Sequence, residues 1–452
     1  MNEALWNKIV EYDLDTPVSE YGFSTRLASE NYWTKNFTHK AIQEYKKFMY
    51  LAGTSDMMVS PSEIIDVVWH QHLIFTQSYT NFCDLIGKQI QHVPSTHNHA
   101  EAEKFKQAKE RTKKFYTESF GEQPAEIFDH TGMFESLHLA KAQIKIRTFI
   151  LLGLWLFLAM TIPFYYFLRP LYVQIGNPDF ILFFVILILL TLLGLEFYNR
   201  RYLSNTVFQL GRTSFLFDLH PMEVVYLKTQ KISDVVNGTM DKLIKTRKVK
   251  VSDGYALQKV EGSSPRTLEE YQVLELLGRN GNIHYPALLE IVGGKPVFAN
   301  TGKCMDAFKK YFIKSKKFGY LFYLNFGLLG LISMLGFIRL VTGILRDRPI
   351  HEITITLAIL MAVNIYTLYR LTKLVCIKTV PALYKDTILP AKNTSEDWEW
   401  QYFLFGTSVL TPAFIPIVDH FNKHSESGSS GSSCGSSCGS SCSSCGGCGG
   451  GD

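Results

Sequence analysis

Four stretches of this chain carry no charged side chain, and they restrict its fold more than any other feature. They are Thr148–Leu168, Phe180–Leu195, Phe318–Ile338 and Ile353–Tyr369. A helix needs about 20 residues to cross the hydrocarbon core of a bilayer. The first and third runs, of 21 residues each, reach that length; the others, of 16 and 17, are short. Lys373, just past the fourth run, can snorkel to the interface. The chain-wide composition, 46% apolar and 19% charged, is ordinary for a soluble protein. Its segregation into uncharged runs and charged stretches marks a membrane protein with soluble lobes. The first run begins too far from the start to be a cleaved signal peptide.

Basic residues set the expected orientation. Lys141, Lys145 and Arg147 precede the first run, and Arg200, Arg201 and Arg212 follow the second. Lys309, Lys310, Lys314, Lys316 and Lys317 precede the third, and Arg370, Lys373, Lys378 and Lys385 follow the fourth. The two short connections hold only Arg169, and Arg346 with Arg348. Two hairpins are therefore expected to cross an inner, cytoplasmic membrane, with the soluble lobes on the cytoplasmic side. Trp400–Val418 is also uncharged, but it is interrupted by Gly406, Pro412 and Pro416. A re-entrant or interfacial segment is expected there, with a fifth crossing as the alternative.

The fold class expected is mostly α. Residues 1–135 read as a helical soluble lobe, 148–199 as the first membrane hairpin and 318–375 as the second. Between the hairpins, 205–315 read helix, helix, hairpin, helix: a small α+β lobe that resembles a winged helix, with Asp253-Gly254 as the turn. Residues 376–424 form a membrane-proximal segment. Residues 425–452, all Gly, Ser and Cys but for a few polar positions, cannot pack a core and are expected to be disordered. In the first lobe, Thr38 is placed as an N-cap with Gly53 as the stop, and Ser60-Pro61 opens a helix that runs to Gly87, whole or broken.

The chemistry concentrates in DVVWHQHLIFTQSYTNFCDLIGKQIQH, Asp66 to His92. On a helix Asp66, Trp69 and His70 share a face, so Asp66 can hold the tautomer of His70. His72 lies about 200° around the helix from His70. The two can hold one metal only if the helix breaks, and the His-Glu-x-x-His zincin pattern is missing. His92, beyond Gly87, can fold back toward Trp69 and His70. His70, His72 and His92 are thus candidate ligands for zinc or another transition metal. The competing reading is a buried Trp and His network that ties the helix to its loop.

Asp66, Trp69, His70, His72, Tyr79, Gly87 and His92 together resemble the glycine-rich domain-containing protein-like family, in which these residue types recur in a helical domain. The resemblance covers roughly residues 35 to 120 and implies no settled activity. LHPMEVVYLKTQ, Leu219 to Gln230, with the Cys-rich tail, resembles an uncharacterised group of bacterial membrane proteins.

The tail cysteines, Cys434, Cys438, Cys442, Cys445 and Cys448, can chelate zinc or copper(I) as thiolates, or be modified. In a cytoplasmic tail they are not expected to pair. The run KLIKTRKVKV offers Lys242, Lys245, Arg247, Lys248 and Lys250 to phosphates. In a lobe tethered at both ends, a solvated or lipid-facing surface is the expected role, and nucleic acid is not an expected partner. No phosphate-binding P-loop and no nucleophile elbow occurs, and the spans show no buried charge; Glu196 sits at a span edge. The role expected is binding or scaffolding at the cytoplasmic face, through membrane lipid and a protein partner of the soluble lobes. The rival is a metal-dependent enzyme centred on His70, His72 and His92.

Overall fold

The computed structural model describes residues 2–93, 99–392 and 397–427. The five tail cysteines lie outside the described residues.

The N-terminal lobe is helical. Its main helices are α1 (Glu3–Glu11), α2 (Phe23–Asn31), α3 (Lys35–Thr54), α4 (Glu63–Ile74), α5 (Thr76–Ile86) and α6 (His99–Phe120). The caps fall slightly off the expected positions. Thr34, not Thr38, caps α3, because the Thr38 hydroxyl donates back to the Thr34 carbonyl at 2.8 Å inside the first turn. Ser62, not Ser60, caps α4. The Asp66–Gly87 stretch is broken at Phe75, and Gly87 ends α5 at φ +82°, where a side chain would be strained.

The central lobe begins with helices Pro221–Thr229 and Ile232–Lys245. Strands β1 (Val249–Ser252) and β2 (Ala256–Lys259) form an antiparallel hairpin around Asp253-Gly254, and β3 (Ile283–His284) adds to β2 after helix Leu268–Asn280. The α+β character is as read, but nothing supports the winged-helix likeness. Helix Pro296–Ile313 packs against both of the lobe's first two helices, and helix Trp398–Phe405 packs against the first. Buried apolar side chains of both lobes form one contiguous cluster, from Ile9 through Leu243 to Phe322 at the base of the third membrane helix. Burial of this kind contributes about 25 cal/mol per Å² of apolar area.

Among the described residues, four helices are long and apolar enough to cross a membrane: Ile146–Tyr172, Asn177–Phe208, Lys316–Ile344 and His351–Lys392. The second and fourth exceed their short uncharged runs because polar turns extend them, and two π-helical turns carry the fourth on to Lys392. The third is the most enclosed and packs against the other three. Polar side chains join them in pairs. Asn199 and Asn325 exchange side-chain hydrogen bonds at 2.8 and 2.9 Å, and Asn364 Nδ2 donates to Ser333 Oγ at 2.9 Å.

Contrary to the uncharged-run reading, a charge is buried among the spans. The third helix continues past Ile338, and Arg339 donates to the carbonyls of Tyr172 and Ile175 and to Asn177 Oδ1. Glu196 at the span edge is held by both terminal nitrogens of Arg370, at 2.8 and 2.6 Å.

Trp400–Val418 is not among the helices long and apolar enough to cross a membrane. It forms helix Trp398–Phe405, a turn at Gly406 and the start of helix Ile415–Ser427, and it buries Trp400, Tyr402, Phe403, Phe414 and Val418 in the soluble core. The Thr411 N–H donates to Asp241 Oδ1 at 2.6 Å, and the Tyr402 hydroxyl donates to the Asp234 carbonyl at 2.9 Å. Protein covers much of this uncharged run, which leaves Phe405 exposed.

Candidate metal centre

Helix α4 sorts its side chains by angle. Ile64, Ile65, Val68, Trp69 and His72 face the core, while Asp66 and His70 face outward. His72 is fully enclosed. Its Nδ1 lies 2.8 Å from the Tyr45 hydroxyl and its Nε2 3.1 Å from Ser78 Oγ, and the rings of Phe23, Tyr79 and Phe82 surround it. Burial pushes its pKa down to about 4, so it is neutral at neutral pH. Both ring nitrogens are engaged in the core, and His72 does not join His70 and His92.

The opposite side is different. Beyond Gly87 the chain turns back along α4. Lys88 Nζ donates to the carbonyls of Ala52 and Ser55, and the Tyr79 hydroxyl donates to the Ile90 carbonyl while accepting Trp69 Nε1–H at 3.0 Å. These contacts set His92 edge-on against Trp69, with ring centroids 4.6 Å apart. His92 Nε2 then lies 2.8 Å from Asp66 Oδ1, and His70 Nδ1 lies 3.1 Å from Asp66 Oδ2. The two imidazoles approach to 4.3 Å between centroids.

One donor atom each from Asp66, His70 and His92 falls within 4.8 Å of the others. Metal–nitrogen and metal–oxygen bonds of about 2.0–2.2 Å in a tetrahedron place ligand atoms roughly 3.4 Å apart. The two Asp66 contacts, 2.8 and 3.1 Å, are hydrogen-bond lengths and shorter than that edge, and His70 Nδ1 also lies 3.0 Å from the Asp66 backbone oxygen, so a bound ion would part these groups by a few tenths of an ångström and take the place of their direct contacts. Two imidazoles and one carboxylate suit zinc, or iron(II) and similar ions, with positions left for water. The His92 side chain is mostly enclosed and that of His70 half exposed, so the centre sits at the surface with one well-held ligand. Sequence reading cast Asp66 as the orienting partner of His70 alone. Its place between two rings depends on the path of residues 88–92, which helical periodicity does not contain.

Residues 19–121 match a family model described as UCP032817-like. The match spans the whole centre and under a quarter of the chain. It replaces the glycine-rich domain-containing family as the likeness of this lobe, and nothing supports the likeness of the remainder to a group of bacterial membrane proteins. No curated protein and no solved structure matches the chain.

Of the basic run, three lysines are engaged within the protein. Lys242 pairs with Glu399 at 2.7 Å, Lys245 with Asp241 at 3.2 Å and Lys248 with buried Glu270 at 2.6 Å. Cys83, Cys304 and Cys376 are buried and free.

Proposed function

We propose that this is a membrane-anchored metal-binding protein whose soluble body, on the cytoplasmic side, holds a divalent transition-metal ion between Asp66, His70 and His92. The carrying observation is the placement of the Asp66 carboxylate within 3.1 Å of both imidazoles. The role is binding rather than catalysis. A centre built on His70, His72 and His92 lacks its third ligand, since both nitrogens of His72 face Tyr45 and Ser78. The orientation rests on the Lys and Arg bias at the span ends. Scaffolding through a protein partner is compatible with the continuous core that couples the N-terminal lobe to the third membrane helix.

The test is metal content of the full-length chain in detergent, with Cys434, Cys438, Cys442, Cys445 and Cys448 all changed to serine to silence the tail. After zinc loading and desalting, about one ion per chain is expected to remain. His92→Ala and Asp66→Asn should each abolish retention, and His72→Gln should not. Equal retention with and without His92 would refute the assignment.

A further inference from the structure

The second and fourth membrane helices leave a cavity of about 310 Å³ between their ends next to the soluble body. That is the low end of the range for small-molecule sites, about 300–1,000 Å³. Arg200, Ser204, Val207 and Phe208 line it from the second helix, spaced as one helical face. Leu374, Lys378, Ala382 and Asp386 line it from the fourth, at four-residue steps. In a regular α-helix each such step drifts by about 40° around the axis. Two π-helical turns, Val375–Thr379 and Tyr384–Ile388, widen the fourth helix here and offset that drift, so the row stays on one side. No lining residue belongs to the Asp66, His70 and His92 group.

The cavity starts at the depth of lipid headgroups. A hydrocarbon core takes about 20 helical residues. Counted from Phe180 it ends at about Arg200, and counted from Ile353 at about Lys373, beside Leu374. The cavity begins at this level on both helices and runs outward. Val207, Leu374 and Leu383 form a buried apolar floor, while Arg200, Lys378 and Asp386 are exposed.

Of the lining residues two are cationic and one is anionic. Arg200 gives its Nε to Glu196, but that carboxylate is already held at both oxygens by Arg370. The terminal nitrogens of Arg200 have no hydrogen-bond partner among the described residues, and neither Lys378 nor Asp386 forms an ion pair there. The Ser204 hydroxyl is likewise without a partner among them. The cavity thus carries one positive charge in excess, with a carboxylate at its outer end. A phosphodiester supplies one negative charge and oxygens that accept from guanidinium, ammonium and hydroxyl donors. A headgroup hydroxyl beyond the phosphate can donate to Asp386. Basic pockets between membrane helices suit anionic headgroups, and at this depth lipid is the surrounding medium. We propose that the cavity binds an anionic phospholipid of the phosphatidylglycerol class from the leaflet next to the soluble body. Arg200, Lys378 and Ser204 hold its phosphate, and Asp386 accepts from its terminal glycerol.

The test is native mass spectrometry of the full-length chain, stripped of lipid in detergent and then offered phosphatidylglycerol or phosphatidylcholine. The second lipid keeps the phosphodiester but ends in a quaternary ammonium. Phosphatidylglycerol should be retained at least tenfold better. Lys378→Gln removes a cation, and Ser204→Leu removes a donor and fills the cavity. Each should lower phosphatidylglycerol retention at least tenfold, and the lipid-free melting temperature of Lys378→Gln should hold. Arg201→Gln, exposed and outside the lining, should retain the lipid as the wild type does. Inorganic phosphate in excess should not displace the lipid; displacement would assign the site to free phosphate and overturn the proposal. Equal retention of the two lipids, or unchanged retention in either cavity variant, would overturn it as well.

Discussion

The carboxylate of Asp66 lies between two imidazoles, 3.1 Å from Nδ1 of His70 and 2.8 Å from Nε2 of His92. An ion held there would join α4 to the segment after α5, so binding should stabilise the folded lobe. At a free zinc concentration 100 times the dissociation constant, linkage gives about 2.7 kcal/mol. Thermal unfolding of the tail-serine chain should therefore shift upward by several degrees with zinc, return with a chelator, and show no shift in Asp66→Asn.

His72, on the inward face of the same helix, predicts an acid sensitivity. Its folded value of about 4 lies below the ordinary imidazole value of about 6.5. As pH falls the unfolded chain takes up the proton first. The stability from neutral His72 is thus complete above about 6.5 and declines toward pH 4, by at most about 3 kcal/mol. His220, held at the same value, adds a loss of the same sign. Glu223 acts oppositely: raised to about 7, it favours the folded state in acid and withdraws that stability as pH rises through 7. Urea midpoints of wild type and His72→Gln, measured from pH 7 to 4.5, should diverge, with the variant showing the shallower decline. Parallel curves would contradict the burial argument.

The sequence made legible what short-range periodicity and charge determine. Four spans, the break after Gly87, the Asp253-Gly254 hairpin and the opposed directions of His70 and His72 all follow from angle, run length or turn chemistry. Contacts between distant segments were not legible. Ser78 and Tyr45 close around His72 from two other helices, and the return of residues 88–92 places His92. Arg339 was missed for a simpler reason: counting an uncharged run stops at the first charge, whereas the helix does not. Lys242, Lys245 and Lys248 read as a basic surface because their carboxylate partners lie 157, 4 and 22 residues away or face inward.

Arg339 predicts a specific fragility in the membrane bundle. Its guanidinium serves the carbonyls of Tyr172 and Ile175 at the end of the first membrane helix, where no further turn satisfies them, and also Asn177 Oδ1. Arg339→Leu should cost about 1–3 kcal/mol for the acceptors left bare. Arg339→Lys should recover only part of this, since an ammonium lacks the planar fork. The readout is the melting temperature of the detergent-solubilised chain, with Arg346→Leu in the exposed connection as the control expected to change little.

Trp400–Val418 offers the sharpest contrast between two environments that look alike in sequence, since lipid and protein core both select uncharged residues. Phe414 has no exposed surface and stacks edge-on to Tyr285 at 5.6 Å, while Phe405 stands 64% exposed beyond the turn. Phe414→Ala should therefore destabilise the soluble body by about 3–5 kcal/mol, whereas Phe405→Ala should be nearly neutral. In right-side-out vesicles, cysteines placed at Phe405 and at Lys141 should be shielded from an impermeant thiol reagent alike and become reactive together once the membrane is opened. A tail cysteine should follow them, because a segment that folds back onto the central lobe leaves the chain on the side from which it came. Labelling of the tail from the side opposite to Lys141 would instead require a fifth crossing, and with it the loss of the Thr411–Asp241 and Tyr402–Asp234 contacts that hold this segment to the lobe.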